Sequence, residues 1–204
     1  MNEALKNVSD FRELLCHRRS IRHFSDQPVA SSLIEEVVRC AATAPSGANK
    51  QPWRFVCVRD PELKNKIRMA AEVEEREFYE SRATEQWKDD LAPLGTDADK
   101  SFLEVAPWLV VVFKLVKGDD GGNVYYADES VGIATGMLLA AAQVAGLATL
   151  THTPSPMKFL GEVLGRPPNE RAYMLIPMGW PAIEGHVPVA ALCKKTLKEV
   201  MVKL

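Results

Sequence analysis

The stretch Cys16-His17-Arg18-Arg19-Ser20-Ile21-Arg22-His23-Phe24 sets three arginines and a hydroxyl within five positions. It lies between a segment with apolar residues at helical spacing and an extended exit marked by Pro28. A guanidinium presents a planar fork of donors that grips phosphate oxygens in pairs, and Ser20 adds a short donor, so the cluster reads as a grip for a phosphorylated cofactor. A solvated basic turn would have the same composition, and the cluster alone leaves both readings open.

Outward from the cluster, hydrophobic period decides the elements. Phe11, Leu14 and Leu15 fall on one face of a first helix, with Ser9 or Asp10 as the expected cap. Leu33, Ile34, Val37, Val38, Cys40 and Ala41 repeat at helical spacing behind Ser31 or Ser32 and stop at Pro45. WRFVCV, Trp53 to Val58, reads as a strand, and the unbroken apolar run from Trp108 to Leu115 reads as a strand buried on both faces. Pro61 to Trp87 is charged and mostly helical, and Ala92-Pro93-Leu94-Gly95-Thr96 breaks it before a short helix near Lys100 to Leu103. Lys117 to Asn123 is a surface loop. Ala127 to Ala145 is the most apolar helix, rich in Gly and Ala, and belongs at the centre of the fold, with Gly146 ending it. Strands at Leu147–Thr151 and Ala172–Met178 flank a helix at Pro156–Leu164. The GIATG at positions 132–136 is fed by no strand and reads as helix packing, not as a nucleotide loop.

With 204 residues, 47% of them apolar, and no repeat, the chain is expected to form one domain over residues 1–204. A net charge of −2 argues against a nucleic-acid or membrane-surface partner. No apolar run is long enough to cross a bilayer, so the expected location is the cytoplasm. The four cysteines show neither a CxxC pair nor a metal-like spacing to the four histidines; reduced thiols and no metal are expected. His17, His23, His152 and His186 have no paired nucleophile nearby and receive no acid-base role.

Two further segments supply context: Ala44-Pro45-Ser46-Gly47-Ala48-Asn49-Lys50-Gln51-Pro52-Trp53 and Pro177-Met178-Gly179-Trp180-Pro181. An RRSxR, an APSxxNxQPW and a GWP in this order resemble the FMN-dependent nitroreductase superfamily and, within it, the iodotyrosine deiodinases. The resemblance runs from about Phe11 to Met201. It implies an α+β, nitroreductase-like fold with a central, mostly antiparallel sheet flanked by helices, and an active-site lid inserted at about residues 66–103. It also implies a homodimer in which a domain-swapped C-terminal arm from Val187 joins the second subunit. Animal members carry a membrane anchor, whereas Met1 to Asp10 is polar and lacks an apolar signal core, so a soluble bacterial relative is expected.

The family's site residues carry over position by position. By resemblance, Arg18, Arg19, Ser20, Ile21 and Arg22 take the phosphate, ribityl and pyrimidine end of FMN, while Pro45 and Ser46 lie along the ring from the partner subunit. Lys194 falls where an arginine usually stands near the phosphate; lysine keeps the charge but loses the fork. Asn49 matches a flavin contact of nitroreductases that not all deiodinases share. The Thr151 hydroxyl is placed at flavin N5 as the catalytic donor, with the backbone of His152 and Thr153 nearby. Threonines at a strand end are, taken alone, ordinary β-formers.

In the insertion, Glu75 and Tyr79 stand at i and i+4, and Lys100 follows beyond the break. An acid, a phenol and an amine can meet both ends of an amino-acid zwitterion. The surrounding Glu72, Glu74, Glu77 and Glu80 equally describe a solvated acidic helix. All three positions coincide with the deiodinase substrate triad, and the Ala48 amide with the group that meets the substrate phenolate. The implied activity is FMN-dependent reductive dehalogenation of 3-iodotyrosine and other halotyrosines, with an unidentified reductase or NAD(P)H as electron source. The alternatives are a broad NAD(P)H nitro- or quinone reductase, the flavin-cleaving enzyme of benzimidazole synthesis, and a non-catalytic FMN-binding protein.

Overall fold

Strand β2, Trp108–Leu115, turns the longest apolar run of β-formers into the middle of the core. In the computed structural model, which describes residues 2–185 and 187–204, it pairs antiparallel with β1 (Trp53–Val58) on one side and β4 (Glu170–Gly179) on the other. The short β3 (Ala148–Thr149) adds antiparallel to β4, giving the order β1-β2-β4-β3. Successive side chains of a strand point to opposite faces, so β2 feeds two cores at once. On one face, Val110 and Val112 meet Ile34, Val37 and Ala41 of α2 (Ser31–Ala42), and Val131, Ala134 and Leu138 of α6 (Ala127–Val144). On the other, Leu109, Val111 and Phe113 meet Ile67 and Ala71 of α3 (Pro61–Glu77), Leu103 of α5 (Phe102–Val105) and Leu160 of α7 (Lys158–Val163). Each such side chain removed from water contributes about 1.5–3 kcal/mol, which is why the run is apolar throughout. The fold is α+β, a four-stranded antiparallel sheet between helices.

Several boundaries differ from the sequence reading. Helix α1 spans Glu3–Cys16 and is capped by Asn2, whose side chain accepts from the Ala4 N–H; Ser9 and Asp10 lie inside it, because residues 3–6 are good helix formers that let it start earlier. Ser31 is the first residue of α2 and not its cap, and the cap Ala30 makes no side-chain bond. Strand β3 is two residues long because regular pairing fails after Thr149. The Leu150 N–H still reaches Pro177 O at 3.4 Å, and His152 exchanges two bonds of 2.9 Å with Leu175, which leaves Thr151 exposed between them. Between α3 and α4 (Glu85–Leu91), residues Phe78–Arg82 form a π-helical turn. Of the two glycines in GIATG, Gly132 sits against Tyr173, where an added Cβ would lie 3.2 Å from the hydroxyl, whereas Gly136 faces open space. The tail ends in α8 (Leu197–Val200), which buries no residue in this chain. Among the described residues no helix is long and apolar enough to cross a membrane.

Candidate active site

The arginine cluster is positioned by the sheet. Ser20 forms a parallel bridge with Thr149, and the Ile21 N–H donates to Thr149 O at 3.0 Å, so the segment leaving α1 runs beside the strand that leads to Thr151. Its exit is clamped by the Gly179-Trp180-Pro181 turn. Phe24 bridges Pro181, the Ser25 N–H donates to Trp180 O at 2.9 Å, and the Ala182 N–H to His23 O at 3.0 Å. Gly179 has to be glycine here, since a Cβ would lie 2.4 Å from Pro107 Cδ.

Held this way, Arg18, Arg19, Ser20 and Arg22 line a cleft of about 230 Å³ together with Lys194, and among the described residues no acidic side chain lines it. Burial and then the neighbouring Arg19 lower the pKa of Arg18. Four cations lining one cleft suit a polyanionic group, which would restore what their crowding and desolvation cost.

Arg22 also lines a second, larger cleft of about 500 Å³, whose walls include Glu75, Tyr79, Lys100, Thr151 and His152. Burial is the main influence lowering its pKa, opposed by Tyr79 and Asp97. Lys100 Nζ stands 3.3 Å from Glu75 Oε2, with the two side chains only 6% and 13% exposed, and Nζ also donates to Asp97 O. The Lys100 backbone N–H donates to Glu72 Oε1 at 3.0 Å, and Tyr79 Oη donates to Thr96 Oγ1 at 3.0 Å. Burial raises the Tyr79 pKa, with Glu75 and Asp97 adding, so the phenol remains a donor at neutral pH. Behind this wall, buried Lys64 donates to Glu104 O at 2.7 Å and Ala106 O at 2.8 Å, tying α3 to the end of α5. Phe78 and Trp87 meet edge to face at 4.9 Å and also line the cleft.

His152 is buried, its ring edge-on to Phe102 with centroids 6.1 Å apart. Burial, then Lys100 and Arg22, push its pKa down to about 3, so the ring is neutral at working pH. The other two described histidines singled out by sequence lie elsewhere: neither His17 nor His23 lines either cleft, and His17 Nδ1 is 2.9 Å from Glu13 O. His186 lies outside the described residues.

Pro45, Ser46, Ala48 and Asn49 line neither cleft. Their loop holds Ala48, Asn49 and Gln51 at positive φ (49°, 53° and 47°), a conformation that non-glycine residues adopt only where their surroundings enforce it. Ser46 Oγ accepts from the Gln51 N–H at 2.9 Å, and Gly47 packs so closely on Tyr125 that a Cβ would lie 2.8 Å from its carbonyl oxygen. Pro45, Ala48 and Asn49 are exposed on this loop. Glu72, through its bond to the Lys100 N–H, and Thr96 belong to the site without having been singled out, and the His152 ring lines a cleft for which only its backbone was named. Glu72 is the only one with a local signal, one helical turn before Glu75 on the same charged segment.

Residues 15–180 match the nitroreductase family. The iodotyrosine deiodinase of Haliscomenobacter hydrossis is 51% identical over 191 residues, covering 91% of this chain and 86% of that protein. Human iodotyrosine deiodinase 1 is 44% identical over 207 residues, 98% of this chain and 70% of that one. Among solved structures, an oxidized iodotyrosine deiodinase bound to FMN and 3-iodo-L-tyrosine superposes with a TM-score of 0.76 at 31% identity, over 85% of this chain and 90% of that chain. Sheet order, the paired clefts and these relatives agree: the chain belongs to the nitroreductase family, and the relatives it resembles there over nearly its full length are iodotyrosine deiodinases.

Proposed function

We propose that this protein is an FMN-dependent oxidoreductase that reductively dehalogenates 3-iodotyrosine and other 3-halotyrosines to tyrosine and halide. The observation that carries the reading is the buried Glu75–Lys100 pair beside Tyr79, in the cleft that Arg22 and Thr151 also line. A buried acid and a buried amine turned on one another are the two charges that a free amino acid brings in reverse, so a zwitterion can replace each by the other's counterpart. A broad nitro- or quinone reductase has no use for such a pair.

The residues present fit FMN. Arg18, Arg19, Ser20 and Lys194 would hold the phosphate in the cleft without carboxylates, and Ile21 and Arg22 the ribityl and pyrimidine end. Where β3 runs out, the Thr151 hydroxyl is assigned to the reactive edge of the ring, with the backbone of His152 and Thr153 nearby. When bound and reduced, FMN supplies the two electrons that, with one proton, replace the carbon–halogen bond by carbon–hydrogen. The chain's own task is to bind, orient and dry the substrate. Glu75 holds the ammonium, Lys100 the carboxylate and Tyr79 the group between them, while residues 66–103 act as a lid that excludes water. The Ala48 N–H meets the phenolate and stabilises its charge.

Pro45, Ser46, Ala48 and Asn49 reach the ring from the partner subunit in this reading, because their exposed, strained loop lines neither cleft of its own chain. A homodimer with a swapped C-terminal arm also accounts for the apolar side chains left exposed on α1 (Leu5, Val8, Phe11) and on the tail (Leu192, Val200, Val202). Four free cysteines suit a reducing compartment, the cytoplasm, where an accompanying reductase or NAD(P)H would supply electrons.

The test uses Glu75→Gln and Lys100→Ala in FMN-loaded protein. Each should weaken 3-iodotyrosine by about tenfold or more while changing the reduction of 2-iodophenol far less, since a recognition contact matters only when its counterpart is present. Equal losses for both ligands would assign the pair to the fold or to the flavin.

A further inference from the structure

The larger cleft contains one buried polar atom that the roles above leave unused. His152 Nε2 is buried with no hydrogen-bond partner, and it stands 3.8 Å from Glu75 Oε1, just beyond bonding reach. The other oxygen of that carboxylate faces Lys100 Nζ at 3.3 Å. An unpaired buried N–H is costly, so it is kept where another state of the site satisfies it. Burial first, and then the charges of Lys100 and Arg22, keep the ring neutral, so it can offer Glu75 a donor without adding a positive charge that would compete with a ligand's ammonium.

In the zwitterion reading, on which this inference rests, a ligand ammonium takes the place of Lys100 Nζ on Glu75 while Lys100 turns to the ligand carboxylate. Among the described residues, that exchange removes the carboxylate's only basic partner within 3.5 Å. We propose that His152 is the positioning residue for Glu75: its Nε2–H closes on Oε1 as the ligand enters and fixes Oε2 on the ammonium. The closure needed is under about one ångström to reach ordinary N–H···O length. The Phe102 ring packed edge-on beside the imidazole limits its other movements.

The experiment titrates the FMN-loaded protein with 3-iodo-L-tyrosine and with 3-(4-hydroxy-3-iodophenyl)propionate, which lacks the ammonium, and reads the preference between them from flavin fluorescence. His152→Leu should lower that preference about tenfold, or 1.4 kcal/mol. His152→Gln, whose amide N–H has similar reach, should keep it within about threefold. In a Glu75→Gln background, His152→Leu should change the preference no further, because the effect passes through the carboxylate. The proposal is overturned if His152→Leu keeps the preference, if His152→Gln loses it as fully, or if the two losses multiply. A parent protein without any preference contradicts the zwitterion reading itself, whereas a parent preference that His152→Leu leaves untouched contradicts this proposal alone.

Discussion

Thr151 shows how much one hydroxyl can be asked to do. It stands exposed on the cleft wall, between the Leu150–Pro177 bond and the His152–Leu175 bridge that continue the β3–β4 register, so its side chain is free to face a bound ring. Thr151→Ala removes that donor where packing is slight. The expected outcome is retained FMN colour, a fall in halotyrosine turnover of about tenfold or more, as for other lost donors at a reacting centre, and undiminished reduction of a nitroaromatic. Parallel loss of both activities in steady-state assays would move the donor to another group. At this scale the arginine cluster was legible in the sequence, because three guanidinium groups in five positions are a local signal whatever the fold. The part played by the His152 ring was not, since a lone histidine declares its environment only when β4 and α3 close around it.

Elements, more than single residues, bring Lys100 to Glu75. Glu75 rides on α3, and Lys100 precedes α5 after the break at Gly95, so the pair survives only if the two helices keep their distance. Lys64 sets that distance by bonding two carbonyls at the end of α5. Lys64→Met should leave both acceptors unpaired and destabilise the protein by about 2–3 kcal/mol. In a chain of this size that lowers Tm by roughly 5–10 °C. Affinity for 3-iodotyrosine should fall more than that for 2-iodophenol. A variant as stable as the parent would show that water or a shifted α5 replaces the lysine. The long elements β1, β2 and α6 could be read because period and composition agreed over many residues. The start of α1, the π-helical turn at Phe78–Arg82 and the shortness of β3 could not, because each depends on partners distant in sequence or on a cap with no period.

At the scale of the whole molecule, the proposed site is divided between chains. Each would combine the Arg22 cleft of one subunit with the loop at 45–49 of the other, a division that the motifs implied by resemblance but that no spacing along one chain could reveal. Subunits carrying Arg22→Ala should bind no FMN, and nor should subunits carrying Gly47→Val, whose side chain would collide with Tyr125. A purified mixed dimer of the two should recover about one FMN per dimer, because one site then receives both defects and the other neither. A colourless mixed dimer would place each complete site within a single chain.

In the proposed function, halotyrosine takes its electrons from reduced flavin in this cleft. That transfer is tested most directly by mixing chemically reduced, FMN-loaded protein with 3-iodo-L-tyrosine under anaerobic conditions while recording the flavin spectrum, tyrosine and iodide. Full reoxidation is expected, with tyrosine and iodide each released at about one per flavin oxidised, as a two-electron cleavage requires. Flavin that stays reduced beside intact iodotyrosine, yet is promptly reoxidised by a nitroaromatic, would contradict the proposed function.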